Sequence, residues 1–72
     1  MKKYIVVPSN LGGWNHAGTV VSQRESFFKG RFQAACKVAA DATEWHSQFD
    51  QGYAALVCRL EKGVGWRVVC QF

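Results

Sequence analysis

The pattern of apolar and polar residues is clearest in the last third of the chain. Residues 53–60 and 66–72 are two β-rich runs, and the Gly-containing segment 61–65 between them predicts a hairpin with a five-residue loop. With Leu60 opposite Trp66, one face of this hairpin is wholly apolar: Ala54, Leu56, Cys58, Leu60, Trp66, Val68, Cys70 and Phe72. We expect this face to pack under a helix and the other face, which carries two arginines, to be exposed.

Two shorter β-rich runs come first. Residues 4–7, ended by Pro8, predict a first strand, and residues 19–21 start a second strand that fades by Arg24. The segment between them is rich in Gly, Asn and Ser, which is typical of a loop.

Residues 27–49 have helical periodicity. One side is polar, and the opposite side carries Phe32, Ala35, Val38, Ala39, Ala42, Trp45 and Phe49. A capping-box pattern at residues 22–25 and Ser26 are two candidate N-caps, whereas Gly30 favours a start nearer residue 30. Gly52 is expected to end the element. The sequence therefore predicts a single α+β domain, residues 1–72, in which one helix packs on one face of an antiparallel sheet of about four strands (β-β-α-β-β).

Composition narrows the class of protein. Of the 72 residues, 49% are hydrophobic and 19% charged, which is too apolar for a disordered chain. No apolar run approaches the roughly 20 residues that span a bilayer, and no secretory signal is recognisable, so we expect a cytoplasmic protein without a membrane partner. Three cysteines, an odd number at spacings of 22 and 12, favour reduced thiols used as small apolar side chains.

The charge favours anionic partners. Nine Lys and Arg against five Asp and Glu give a net charge of +4, which suits phosphate or an acidic protein face, or serves solubility alone. In the hairpin register above, Arg59 and Arg67 face each other across the strands. Like charges in that position are destabilising unless an anion or an acidic side chain meets them. That acidic group could be a partner's, or it could be Glu61 or Asp50 of the same chain.

A second basic group surrounds the start of the helical segment and is interleaved with aromatic residues: Arg24, Phe27, Phe28, Lys29, Arg31 and Lys37. This combination can bind nucleic acid, although the phenylalanines could equally serve a small core. In the Gly-rich loop, Trp14 is either an anchor for a partner or a lid on the sheet.

The residues give little support for catalysis or metal binding. Three cysteines and two histidines (Cys36, Cys58, Cys70, His16 and His46) lack the spacing of a metal site, so we expect no metal and no cofactor. The cysteines map to apolar faces, and His46 falls at the end of the apolar side of the helix. An activated Cys–His pair is therefore not indicated, and we expect a protein that is not an enzyme.

Several short segments are together similar to one group of proteins: the opening Met1-Lys2-Lys3-Tyr4-Ile5-Val6, the Gly18-Thr19 strand start, the Ala-rich helix after a basic turn, and the closing Trp66-Arg67-Val68-Val69-Cys70-Gln71. In these, in its length and in its element order, the chain resembles the small phage-encoded anti-CRISPR proteins that inhibit type I surveillance complexes.

The resemblance implies a non-catalytic inhibitor, at work in the cytoplasm of a bacterial host, that docks on a Cas surveillance complex and blocks target DNA binding or nuclease recruitment. The charge map then supplies the candidate partner-binding residues, namely Arg59, Arg67, Lys29, Arg31, Lys37 and, from the loop, Trp14. A stand-alone basic nucleic-acid-binding domain is the alternative.

Overall fold

The computed structural model describes residues 3–8, 18, 20–21, 24 and 26–72. Within them the order is β1 (Tyr4–Pro8), β2 (Val20–Val21), β3 (Phe28–Gly30), α1 (Phe32–His46), β4 (Ala55–Glu61) and β5 (Gly65–Gln71). The strands form one antiparallel sheet in the order β2-β5-β4-β1-β3. The predicted α+β class, with one helix against an antiparallel sheet, is confirmed, and the described sheet has five strands where about four were expected. Across these residues, no helix is long and apolar enough to cross a membrane.

The additional strand is β3, which lies where the sequence predicted the start of the helix. It pairs with β1, so that Gly30 lies opposite Tyr4 and Phe28 opposite Val6. This pairing supplies partners for backbone groups of β1 and lets Phe28 pack into the core. Gly30 also fits a close approach, because a Cβ added there would lie 2.9 Å from the Phe28 ring.

The helix ends earlier than predicted, and of the alternative starts considered from the sequence, the one near residue 30 is confirmed. Arg31 occupies the N-cap position with extended backbone and makes no side-chain capping hydrogen bond, so the predicted caps, residues 22–25 and Ser26, are wrong. Helical structure stops at His46, six residues before Gly52. Beyond it, the amide of Ser47 donates to the Thr43 carbonyl and the amide of Asp50 to the His46 carbonyl, which closes the helix with local turns.

The helix packs on the opposite face of the hairpin from the one predicted. Ala35 and Ala39 are completely buried in a helix-side cluster with Val6, Tyr53, Ala55 and Val57. The face that was expected to lie under the helix forms a separate buried cluster: Ile5, Val7, Leu56, Cys58, Trp66 and Val68. Because β4 is apolar on both faces, its alternation of residues could not specify the helix side.

The register of the hairpin is confirmed near its loop and shifted further away. Leu60 pairs with Trp66, and Arg59 with Arg67, as predicted. The register shifts at Val57/Cys58, so that Val57 lies opposite Cys70. The predicted pairs of Leu56 with Cys70 and of Ala54 with Phe72 are therefore wrong, and Val69 is the extra residue of a bulge that turns Cys70 to the helix side.

The hairpin loop is tighter than the five residues expected. Glu61 pairs with Gly65, which leaves three residues between the strands. Gly63 and Gly65 have φ of +84° and +122°, a region that L side chains rarely adopt, so glycine is favoured in the middle of the three-residue loop and at the first residue of β5.

Candidate functional site

A row of paired residues crosses the sheet next to the start of α1. From edge to edge it reads Gly30, Tyr4, Arg59, Arg67 and Val20, each the direct partner of the next. Directly paired residues share a face, and this face is the helix side because the Tyr4 ring lies 5.0 Å from the Phe32 ring of α1. We call Arg59 and Arg67, together with Glu61 on the same face of β4, the arginine row.

The helix leaves part of the arginine row accessible. α1 packs mainly on β1, β3 and β4, whereas Arg67 and Val20 belong to β5 and β2. Arg59 and Arg67 are half-buried, and Val20 is exposed. Arg67 therefore lies beside the helix, and both arginine side chains keep part of their surface accessible.

Arg67 is bound within the chain. Its Nε donates to Glu61 Oε2 at 2.6 Å and its Nη2 to Glu61 Oε1 at 3.3 Å, while its Nη1 donates to the Gly18 carbonyl at 2.7 Å. The hydrogen bond from Arg67 holds the pKa of the Glu61 carboxyl below its ordinary value, and that same bond raises the pKa of Arg67. Of the two acidic groups considered from the sequence, Glu61 is the one that meets an arginine.

Arg59 differs from Arg67 in its contacts. It makes no hydrogen bond or ion pair with any residue in the described part of the chain. Its charge nevertheless lowers the pKa of Glu61, which shows that it lies close to the Arg67–Glu61 pair. The arginine row thus carries two positive charges and one negative charge, and Arg59 is the member whose guanidinium donors are available.

The remaining predicted residues lie in different places. Arg31 is exposed at the N-cap, beside the Gly30 end of the cross-sheet row, and the first turn of α1 has no acidic residue, so the helix dipole adds positive potential there. Lys37 is exposed on α1. Lys29 pairs with Ile5 and so lies on the face opposite the helix, with its Nζ 6.0 Å from the centre of the Trp66 ring. Trp14 lies outside the described residues. The structure therefore places Arg31 at the start of α1, next to the β3 edge of the sheet, and Lys29 on the face opposite the arginine row.

The cysteines are arranged as packing residues. Burial raises the pKa of the Cys58 thiol to about 11, and the nearby Cys70 adds to the rise. Burial and contact with Cys36 raise the pKa of Cys70 as well. A raised pKa disfavours the thiolate that nucleophilic catalysis and metal binding need. Among the described residues, no group of three or more potential metal ligands occurs.

A second surface feature was missed by the sequence analysis. A cavity of about 510 Å³ lies where the chain leaves the helix, and it is lined by Pro8, Phe27, His46, Phe49, Asp50 and Tyr53. Phe49 had been assigned to the apolar side of the helix, but the helix ends three residues before it, and its side chain is 75% exposed. The sequence signal for this cavity was the recurrence of aromatic residues at positions 45, 49 and 53, close to Asp50.

The chain was also compared with known proteins. A comparison with protein-family models, with curated protein sequences and with solved structures finds no match to any of them.

Proposed function

We propose that the chain is a non-catalytic inhibitor of the anti-CRISPR kind, which binds a type I Cas surveillance complex and blocks target DNA binding or nuclease recruitment. The resemblance of its opening and closing segments suggests the class of partner. The observation that carries the proposal is the surface guanidinium of Arg59, which has no partner in the described part of the chain and lies opposite an arginine that is already held in place.

The arginine row suits a carboxylate or phosphate from a partner. Arg67 is fixed by two acceptors, so it loses little side-chain freedom when a partner binds beside it. Arg59 can then donate to the partner's oxygen atoms, and charge-assisted hydrogen bonds of this kind are the stronger ones. Arg31 and the positive end of α1 extend the same potential along the edge of the helix.

The dimensions of the domain allow such an interface. Its extents are 36 × 24 × 18 Å, and a standard protein–protein interface buries about 800 Å² on each partner. The expected setting is the cytoplasm of a bacterial host, where a target of this type would be present.

The proposal is tested by recovering the partner. Tagged protein is used to capture complexes from bacterial lysates that contain a type I CRISPR–Cas system, after nuclease treatment and at moderate salt. We expect stoichiometric recovery of the Cas complex with the native protein and a loss of about tenfold in affinity with Arg59→Glu, which corresponds to about 1.4 kcal/mol.

The matched control is Lys62→Glu, which makes the same change of charge on the exposed hairpin loop and should retain binding. Equal recovery with both variants would show that the arginine row is not the interface. Recovery of nucleic acid alone, lost on nuclease treatment, would contradict the inhibitor function for the systems tested. It would favour the alternative of a basic nucleic-acid-binding domain, whose affinity falls steeply with salt.

A further inference from the structure

The cavity at the end of α1 is lined by aromatic rings whose positions are fixed by mutual contacts. His46 stacks on Tyr53 with ring centres 4.5 Å apart, Trp45 meets His46 edge-on at 5.0 Å, and Phe49 lies 5.0 Å from Trp45. Phe27, from the segment before β3, also lines the cavity. Trp45 contacts two of these rings but does not line the cavity. We call the rings that do line it, Phe27, His46, Phe49 and Tyr53, together with Asp50, the aromatic pocket.

The aromatic pocket also contains the carboxylate of Asp50. Asp50 is exposed, and its Oδ1 accepts a hydrogen bond from the Gly52 amide at 2.9 Å. No basic side chain among residues 3–8, 18, 20–21, 24 and 26–72 forms an ion pair with it. The negative end of the α1 dipole lies at the same place and adds to the negative charge of Asp50.

Phe and Tyr rings beside a carboxylate favour a cation, because the faces of these rings are electronegative. The pocket is also open. Phe49 is 75% exposed and Phe27 47%, whereas a site for a free small molecule normally encloses most of its ligand. We infer that the aromatic pocket receives an arginine or lysine side chain of a partner protein, with the cation stacked on the rings and bonded to Asp50.

This inference does not depend on the proposed function, because it concerns a different surface and the opposite charge. It gives the domain two charge preferences: anionic groups at the arginine row and a basic side chain at the aromatic pocket.

The test is a titration of the ¹⁵N-labelled full chain, followed by amide chemical shifts. The probes are acetyl-arginine amide, acetyl-leucine amide as a neutral analogue, and tetramethylammonium. We expect the arginine probe to shift amides of the pocket residues with a dissociation constant of about 1–10 mM, and the leucine probe to bind at least threefold more weakly.

Two variants identify the chemistry. Asp50→Asn keeps the oxygen that accepts from Gly52 but removes the charge, and Phe49→Leu keeps apolar bulk but removes a π-face. Each should weaken arginine binding at least threefold, whereas Asp41→Asn, the same change on an exposed helical residue, should have no effect.

Three results would overturn the inference. They are equal affinity for the arginine and leucine probes, unchanged arginine binding in Asp50→Asn, and the absence of shifts in the pocket. Tighter binding of tetramethylammonium than of the arginine probe would also overturn it, since the occupant would then be a free quaternary ammonium and not a protein side chain.

Discussion

The buried cluster on the face opposite the helix leads to a sharp prediction at Leu56. This side chain is completely buried among Ile5, Val7, Cys58 and Val68. Leu60 lies on the same face of the same strand, four residues further along, and is 47% exposed. The two leucines therefore form a matched pair that differs mainly in burial.

Truncation of a buried leucine to alanine costs about 2–5 kcal/mol, because the transfer free energy is lost and a cavity remains. A chain of this length has a free energy of unfolding of about 4–11 kcal/mol, at about 0.05–0.15 kcal/mol per residue. We expect Leu56→Ala to cost about 3 kcal/mol, a large part of that total. In a domain of this size, such a loss lowers the melting temperature by about 12–24 °C. Leu60→Ala should cost less than about 1 kcal/mol.

The assay is urea unfolding followed by circular dichroism and tryptophan fluorescence, with the slope compared among the native protein and both variants. A difference of at least 1 kcal/mol between the variants is expected. If both cost less than about 1 kcal/mol, the face opposite the helix would not be a core. The sheet would then be buried on its helix side only, contrary to the two clusters described above.

Three further predictions concern stability, at a hydrogen bond between helix and sheet, a buried thiol and a surface ion pair. The Thr43 hydroxyl accepts a hydrogen bond from the Ala55 amide at 3.1 Å and so links α1 to β4. In urea unfolding, Thr43→Val should lower the free energy of unfolding by about 1–2 kcal/mol, and Thr43→Ser, which keeps the hydroxyl, should lower it less. Burial raises the pKa of Cys58 from about 9 to about 11, so the unfolded chain loses the thiol proton first as pH rises. The free energy of unfolding should therefore fall between pH 9 and 11, and it should fall less steeply in Cys58→Ala. An equal fall in the variant would exclude this thiol as the cause. The lowered pKa of Glu61 acts in the other direction: the carboxylate stabilises the fold above its ordinary pKa of 4.5, and this stabilisation is lost as pH falls below that value. Glu61→Gln should lack this part of the acid dependence in thermal unfolding. An unchanged profile would show that the bond between Glu61 and Arg67 adds no stability.

Local pattern predicted the hairpin because the turn and the alternation agree there. The glycines at 63 and 65 allow the tight loop, and the pairing of Leu60 with Trp66 and of Arg59 with Arg67 follows from it. The bulge beyond Val57 could not be predicted, because both possible partners, Val69 and Cys70, suit either face of a strand that is apolar on both sides.

The errors elsewhere come from contacts between distant parts of the chain. Phe28 fits a helical pattern, yet pairing with β1 makes it part of a strand. The residues around Phe28 do not indicate that the backbone groups along one side of β1 need a pairing strand. The facing arginines were predictable, and Glu61 was one of two candidates to meet them. The recurrence of aromatic residues at 45, 49 and 53 signalled only part of the aromatic pocket, since its lining also needs Pro8 and Phe27 to meet residues that follow the helix.

The position of β1 within the sheet has a consequence for the order of folding. β1 is flanked by β4 and β3, and it pairs with β4 through residues about fifty positions away, such as Val6 with Val57. During synthesis, β1 must therefore wait for about fifty further residues before its main partner emerges. The β4–β5 hairpin closes over three residues and can form within microseconds, whereas the long-range pairing carries the entropic cost of loop closure. The hairpin is thus the natural template on which β1 docks, and docking of β1 is the step that sets how long apolar strands remain open to aggregation.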